Sequence, residues 1–153
     1  MAVIIAAFSI TACQQDTNDI TPLTQEVRFV IDTESCIGTR AISDGTGATQ
    51  LSWAVFNDQG ELIHKKATKS DVSELLTENG YTMSISLAKG QTYRVAFWAQ
   101  NPECEAYTVS DDMKVTIDYT GVNNDELRDA FSAVTEPFTV EGDNTISVVL
   151  RRP

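Results

Sequence analysis

From residue 26 onward, apolar and polar side chains alternate with a period of two, the pattern of strands that bury one face. Over residues 26–32, Val27, Phe29 and Ile31 point one way while Arg28, Val30 and Asp32 point the other. Leu51, Trp53 and Val55 alternate with Ser52 and Ala54, and Asn57-Asp58-Gln59-Gly60 supplies a turn into a strand over 61–65. Residues 81–87 show the cleanest alternation of the chain, and Lys89-Gly90 then turns it into a strand over 93–98. That strand is apolar on both faces at Ala96 and Trp98, as a central strand is. Val115, Ile117 and Tyr119 mark another strand; 131–134, 138–140 and 146–150 complete the set, the last two joined by a turn at 141–144. Helical signals are short. Ser70 or Asp71 caps one turn through Leu76, and Asn124 caps 125–130 with acids in its first turn. About seven to nine strands with regularly spaced turns predict an all-β fold, a single β-sandwich domain.

The chain before this region reads differently. Residues 2–10 are an apolar run too short to span a bilayer but suited to the apolar core of a secretion signal. Thr11 and Ala12 are small, and Cys13 follows at once, a pattern that resembles a bacterial lipobox. Cys13 is then the expected lipidation site and mature N-terminus, with 1–12 a signal peptide, 13–24 a lipidated flexible tether and 25–153 the folded domain. Each buried methylene of an acyl chain adds about 0.8 kcal/mol of membrane affinity, so several chains anchor stably. No Lys or Arg precedes Cys13, which points to a misassigned start or a clipped sequence. The polar stretch 14–19 carries two acids, weakly similar to the surface-export signals behind lipoboxes of Gram-negative anaerobes. Pro22 keeps 20–23 out of regular structure.

Composition narrows the function. The 153 residues leave room for one domain with a real core. A net charge of −11 excludes nucleic acid as a partner, because no basic stripe is available to neutralise phosphates. With no second apolar run of spanning length, the lipid is the only expected membrane attachment.

Six stretches taken in order resemble the N-terminal domain of the fimbrillin family, the surface lipoproteins from which Gram-negative anaerobes build, cap or anchor pili. They are residues 39–45, 51–56, 93–101, 115–119, 124–131 and 148–153, so the match covers nearly everything from residue 25 onward. The resemblance implies a transthyretin-like or immunoglobulin-like β-sandwich, an outer-membrane, cell-surface fimbrial location, and a role in pilus structure or adhesion. Partners would be other fimbrial subunits, joined by β-strand addition, in which main-chain hydrogen bonds and alternate side-chain pockets hold an incoming strand. It also implies processing at Arg40-Ala41, in a loop after the first strand, by an Arg-specific protease. The strand over 26–32, with Val27, Phe29 and Ile31 filling pockets, would then leave and be replaced; the alternative is an exposed Arg40 that is never cut. Fimbrillins continue into a second β-domain, so the chain is expected to be a truncated product, a single-domain relative or a fragment.

Other residues carry weaker readings. Cys36 and Cys104 lie near strand ends; they either oxidise to a disulfide, worth about 4 kcal/mol for so long a loop, or remain two buried thiols. A disulfide there would clamp the first strand after cleavage, so it competes with strand release. Trp53 and Phe97 are expected in the core, whereas Trp98 lies on the opposite face. An exposed Trp98 would support the alternative function, a monomeric binding module for a host glycan or protein. Asp111-Asp112 and 123–126 lack the ligand spacing of a calcium loop, so no metal is expected. His64 stands alone, with no nucleophile motif, no paired cysteines for zinc and no phosphate loop elsewhere. No catalytic residue and no cofactor is expected, and the chain reads as a non-enzyme.

Overall fold

The computed structural model describes residues 23–34, 45–76, 80–120 and 126–153; among these the chain forms ten strands and two single turns of 3₁₀ helix. The strands are β1 (Thr24–Thr33), β2 (Gln50–Asn57), β3 (Leu62–Ser70), β4 (Tyr81–Ala88) and β5 (Thr92–Gln100). They continue with β6 (Tyr107–Val109), β7 (Val115–Ile117), β8 (Ala130–Val134), β9 (Phe138–Thr139) and β10 (Asn144–Leu150). A small sheet has the order β10-β1-β4, and a larger one the order β3-β2-β5-β8 with β9 also paired to β5. β6 and β7 form a separate hairpin. The all-β sandwich expected from the alternation is therefore the fold.

The period-two pattern sets which side of each strand is buried. Val27, Phe29 and Ile31 of β1 join Leu51 and Val55 of β2, Val95 and Phe97 of β5, and Val148 and Leu150 of β10 in one core. Phe29 lies edge-on to Phe97, with ring centroids 5.6 Å apart, and to Phe138 at 6.0 Å. β1 runs parallel to β10 and antiparallel to β4, so the first strand is the middle one of its sheet. Glu34 N donates to Leu150 O and Lys89 N to Leu23 O, extending the pairing on each side.

Several boundaries differ from those expected, for local reasons. β1 begins at Thr24, inside the stretch assigned to the tether. The turn at Lys89-Gly90 carries the chain from the small sheet to the large one instead of making a hairpin; Gly90 N donates to Val140 O as it crosses. The turn through Asn57–Gly60 does make a hairpin, with Glu61 N donating to Asn57 Oδ1. β3 then extends to Ser70, well past residue 65. The helical turn before Leu76 is a 3₁₀ turn, Ser73–Leu76, that buries Leu75. The second is shorter than expected: Glu126–Arg128 is a 3₁₀ turn, and Ala130 already opens β8. β6, three residues long, is the strand that alternation did not reveal.

Candidate functional site

The resemblance implies β1 as the exchangeable element, and in the structure β1 is the middle strand of the small sheet. Val27, Phe29 and Ile31 are fully buried, whereas Glu26, Arg28 and Asp32 on the same strand are exposed. Removing β1 would uncover a groove between β10 and β4, with rows of main-chain donors and acceptors on both sides. The register sets the flanking neighbours of each buried side chain. Val27 lies opposite Asn144 and Ile85, Phe29 opposite Ile146 and Met83, and Ile31 opposite Val148 and Tyr81. Gly80 lets the start of β4 approach closely. Its φ is +63°, and a Cβ there would lie 2.5 Å from the Ile31 carbonyl oxygen. Burying three such side chains contributes roughly 1.5–3 kcal/mol each, together about 5–9 kcal/mol, comparable with the whole stability of a domain. An empty groove is therefore not a resting state.

β10 is also held by contacts that do not involve β1. At the end of β10, Ser132 N donates to Arg151 O and Arg151 N to Ser132 O, tying the small sheet to β8. Arg152 Nη2 meets Asp129 Oδ1 at 3.0 Å, and its guanidinium lies over the Phe131 ring at 5.2 Å. Asp129 is almost wholly buried, so this pair anchors the chain end to the larger sheet. At the start of β10, Asn144 Nδ2 donates to Thr139 O.

Of the other residues singled out, Cys13, Cys36, Arg40 and Ala41 lie outside the described residues, so neither lipidation nor cleavage is placed. Cys104 is a free, buried thiol. His64 is exposed on β3, at the edge of the large sheet. Asp112 is at the tip of the β6–β7 hairpin, where Lys114 Nζ at 2.5 Å and the Ser110 hydroxyl hold its carboxyl down at about 2. Of 123–126, only Glu126 lies within the described residues, at the start of a 3₁₀ turn.

Trp53 is half-buried against the core and Phe97 is buried in it. Trp98 is not exposed. It is 5 % accessible, edge-on to Tyr107 at 5.4 Å, with its Nε1 donating to Gln100 Oε1 at 2.7 Å. The cover is the β6–β7 hairpin, folded over the outer face of β5. Tyr107 OH donates to Arg128 O, and burial pushes its hydroxyl pKa up. Beside the hairpin is a cleft of about 270 Å³, lined by Ala96, Trp98, Met113, Val115, Ser132 and Val134. Trp98 is one part of its wall among mostly aliphatic side chains, not the aromatic platform that an exposed Trp98 would have made. Gln100, two residues on and on the same face, was the one local signal of this burial, since a buried indole N–H needs an acceptor.

Among the described residues, no helix is long and apolar enough to cross a membrane. A family model described as a family of unknown function (DUF6562) matches residues 17–153. No curated protein matches the chain in sequence. Among solved structures, a DUF1812 protein from Bacteroides thetaiotaomicron, described as a candidate polysaccharide-binding protein, aligns at 14% identity with a TM-score of 0.57, over 82% of this chain and 46% of its own. The fimbrial anchor protein Mfa2 from Porphyromonas gingivalis aligns at 14% identity with a TM-score of 0.55, over 84% of this chain and 50% of its own. The chain thus spans about half the length of these structures. The resemblance to fimbrillins read from the sequence holds at the level of the fold, which a fimbrial anchor shares; the family that matches is DUF6562.

Proposed function

The chain belongs to the DUF6562 family, and we propose that it is a cell-surface lipoprotein that serves as a structural or anchoring subunit of a pilus, joined to its neighbours by exchange of β1. The observation that carries this reading is the position of β1. It is the first strand among the described residues, it lies in the middle of the small sheet, and it is paired along its length to β10 and β4. A strand from another subunit with apolar residues at alternate positions meets the same donors, acceptors and pockets. The likeness in fold to a fimbrial anchor supports the reading. In it Cys13 holds the chain at the outer membrane, Arg40-Ala41 is the processing point, and Val27, Phe29 and Ile31 are the side chains given up on processing.

The test is an unheated gel of the full chain before and after treatment with an Arg-specific protease, with the Cys13 acyl group followed by intact mass. A heat-sensitive ladder that appears only after cleavage at Arg40 is the expected result. Cleavage at Arg40 with no ladder, β1 staying bound, would overturn strand exchange.

A further inference from the structure

β6 and β7 pair with each other as a two-stranded unit, and that unit is joined to the rest of the domain differently at its two ends. At its base, Asp118 N donates to Ala106 O and closes the hairpin. There Tyr107 OH donates to Arg128 O at 2.9 Å and Arg128 Nη2 to Asp118 O at 3.3 Å, so the base is held to the 3₁₀ turn Glu126–Arg128. At the tip, Lys66 on the edge strand β3 makes two ties. Its N donates to Asp111 O at 3.1 Å and its Nζ to Val109 O at 2.6 Å. A bulge lies at this place on β3. Trp53 and Val55 of β2 face Ala67 and His64 of β3, so β3 carries one extra residue in the stretch that contains Lys66. Bulges bend a strand locally and re-aim its side chains.

The hairpin covers more than it buries of itself. Tyr107 and Val109 of β6 and Val115 and Ile117 of β7 are half-buried, whereas Trp98 and Gln100 beneath the hairpin are buried. On the side toward β8 the hairpin does not close on the sheet. The cleft of about 270 Å³ is walled there by Met113 and Val115 and, across from them, by Ser132 and Val134. Side chains that face a void forgo dispersion contacts on that side. Met113, at the tip, has a φ of +59°, in the left-handed region that disfavours a residue with a Cβ. Half-buried side chains, a void beneath and a strained turn place this segment at the low end of local stability.

We propose that the β6–β7 hairpin is a hinged lid that gates access to Trp98, with its hinge at Tyr107 and Arg128 and its latch at Lys66. Tyr107 stays edge-on to the Trp98 ring at the hinge. Release of the latch lifts the tip and draws Met113 and Val115 away from Ala96 and Trp98, their neighbours across the cleft. The cleft and the outer face of β5 then become one surface that carries the indole, the Gln100 carboxamide and the Ser132 hydroxyl. The two ends are suited to these roles by position. The hinge bonds lie where the hairpin turns, and the latch bonds lie at the far end, where a small rotation gives the largest displacement. The β6–β7 ladder is internal to the moving piece, so lifting does not break it. β1 stays in place throughout, so the inference does not rest on strand exchange.

Amide exchange of the full chain, read residue by residue in low urea, tests the motion. The Lys66 amide, which the latch protects, should exchange fastest and with little dependence on urea, because opening exposes little surface. The Ser110 and Asp118 amides, bonded within the hairpin to Lys114 O and Ala106 O, should exchange more slowly, and Phe97 of β5 slowest of all. A Lys66 amide as slow and as urea-dependent as that of Phe97 overturns the proposal, since the latch then opens only with the whole fold. Ser110 and Asp118 amides as fast as that of Lys66 also overturn it, since the hairpin then melts instead of lifting. Access is tested by the rate at which N-bromosuccinimide oxidises Trp98, located by peptide mass. Lys66→Met keeps the aliphatic stem but removes the charged donor to Val109 O, and should raise that rate about tenfold, while Lys66→Arg restores it. An unchanged rate in Lys66→Met would show that Lys66 does not control access to Trp98 and would overturn the proposal.

Discussion

β1 and β5 each run through the middle of a sheet, yet β5 is buried on both faces and β1 on one. Tyr93, Val95, Phe97 and Ala99 of β5 face the core, while Trp98 and Gln100 are buried on its other side beneath the β6–β7 hairpin. β1 packs Val27, Phe29 and Ile31 inward but leaves Glu26, Arg28 and Asp32 in water. The difference concerns what else must move for a strand to leave. Withdrawing β5 would dismantle the hairpin, the Trp98–Gln100 bond and pairing to three strands. Withdrawing β1 breaks two ladders and empties one row of pockets, and the ties from β10 to β8 remain. A central strand with one wet face is replaceable in a way that a strand buried on both faces is not.

Phe29→Ala and Phe97→Ala give the largest expected effects and break the comparison most directly. Each removes a buried ring from the same cluster and should cost about 3–5 kcal/mol in urea unfolding. Amide exchange should separate them. Phe29→Ala should speed exchange selectively in β1 and its partners, whereas Phe97→Ala should raise it across both sheets. Uniform acceleration in both variants would remove the distinction between the two strands.

A smaller change sharpens the other side of the comparison. Tyr107→Phe deletes the hydroxyl that donates to the Arg128 carbonyl and should cost about 1 kcal/mol. Trp98 fluorescence should shift toward that of an indole in water as the hairpin loosens, while protection of β1 is unaffected. An unchanged spectrum would mean that the hairpin is held without this bond.

The smallest effect is a pH dependence at the hairpin tip. Lys114 and Ser110 hold the Asp112 carboxyl down at about 2, below its value in the unfolded chain. The associated stabilisation is present above the unfolded value and is lost as pH falls through the folded one. Asp112→Asn should therefore lower the urea midpoint slightly near neutral pH, and the gap from the parent should close as the pH drops to about 2. A gap that persisted in acid would assign the effect to the turn geometry instead of the charge.

Period-two alternation is a local property of the chain, and it alone determined most strands here, the inward faces of β1, β4 and β5, and the centrality of β5. Val27, Phe29 and Ile31 were legible as one set because a strand can bury them only on a common side. Alternation does not say which strands become neighbours. That β1 lies between β10 and β4, parallel to the last strand of the chain, follows from packing between segments more than a hundred residues apart. Nor does it say what covers an outer face. The cover of Trp98 was not legible because its shield, β6, spans three residues, too few to carry a periodic signal. The edges were equally hidden. Whether a strand's outer backbone is free or blocked depends on distant groups such as Lys66 and Asp111 meeting in space. Side-chain chemistry wrote the faces into the sequence, and backbone pairing in three dimensions decided which strand is held on both sides and which edge a distant segment covers.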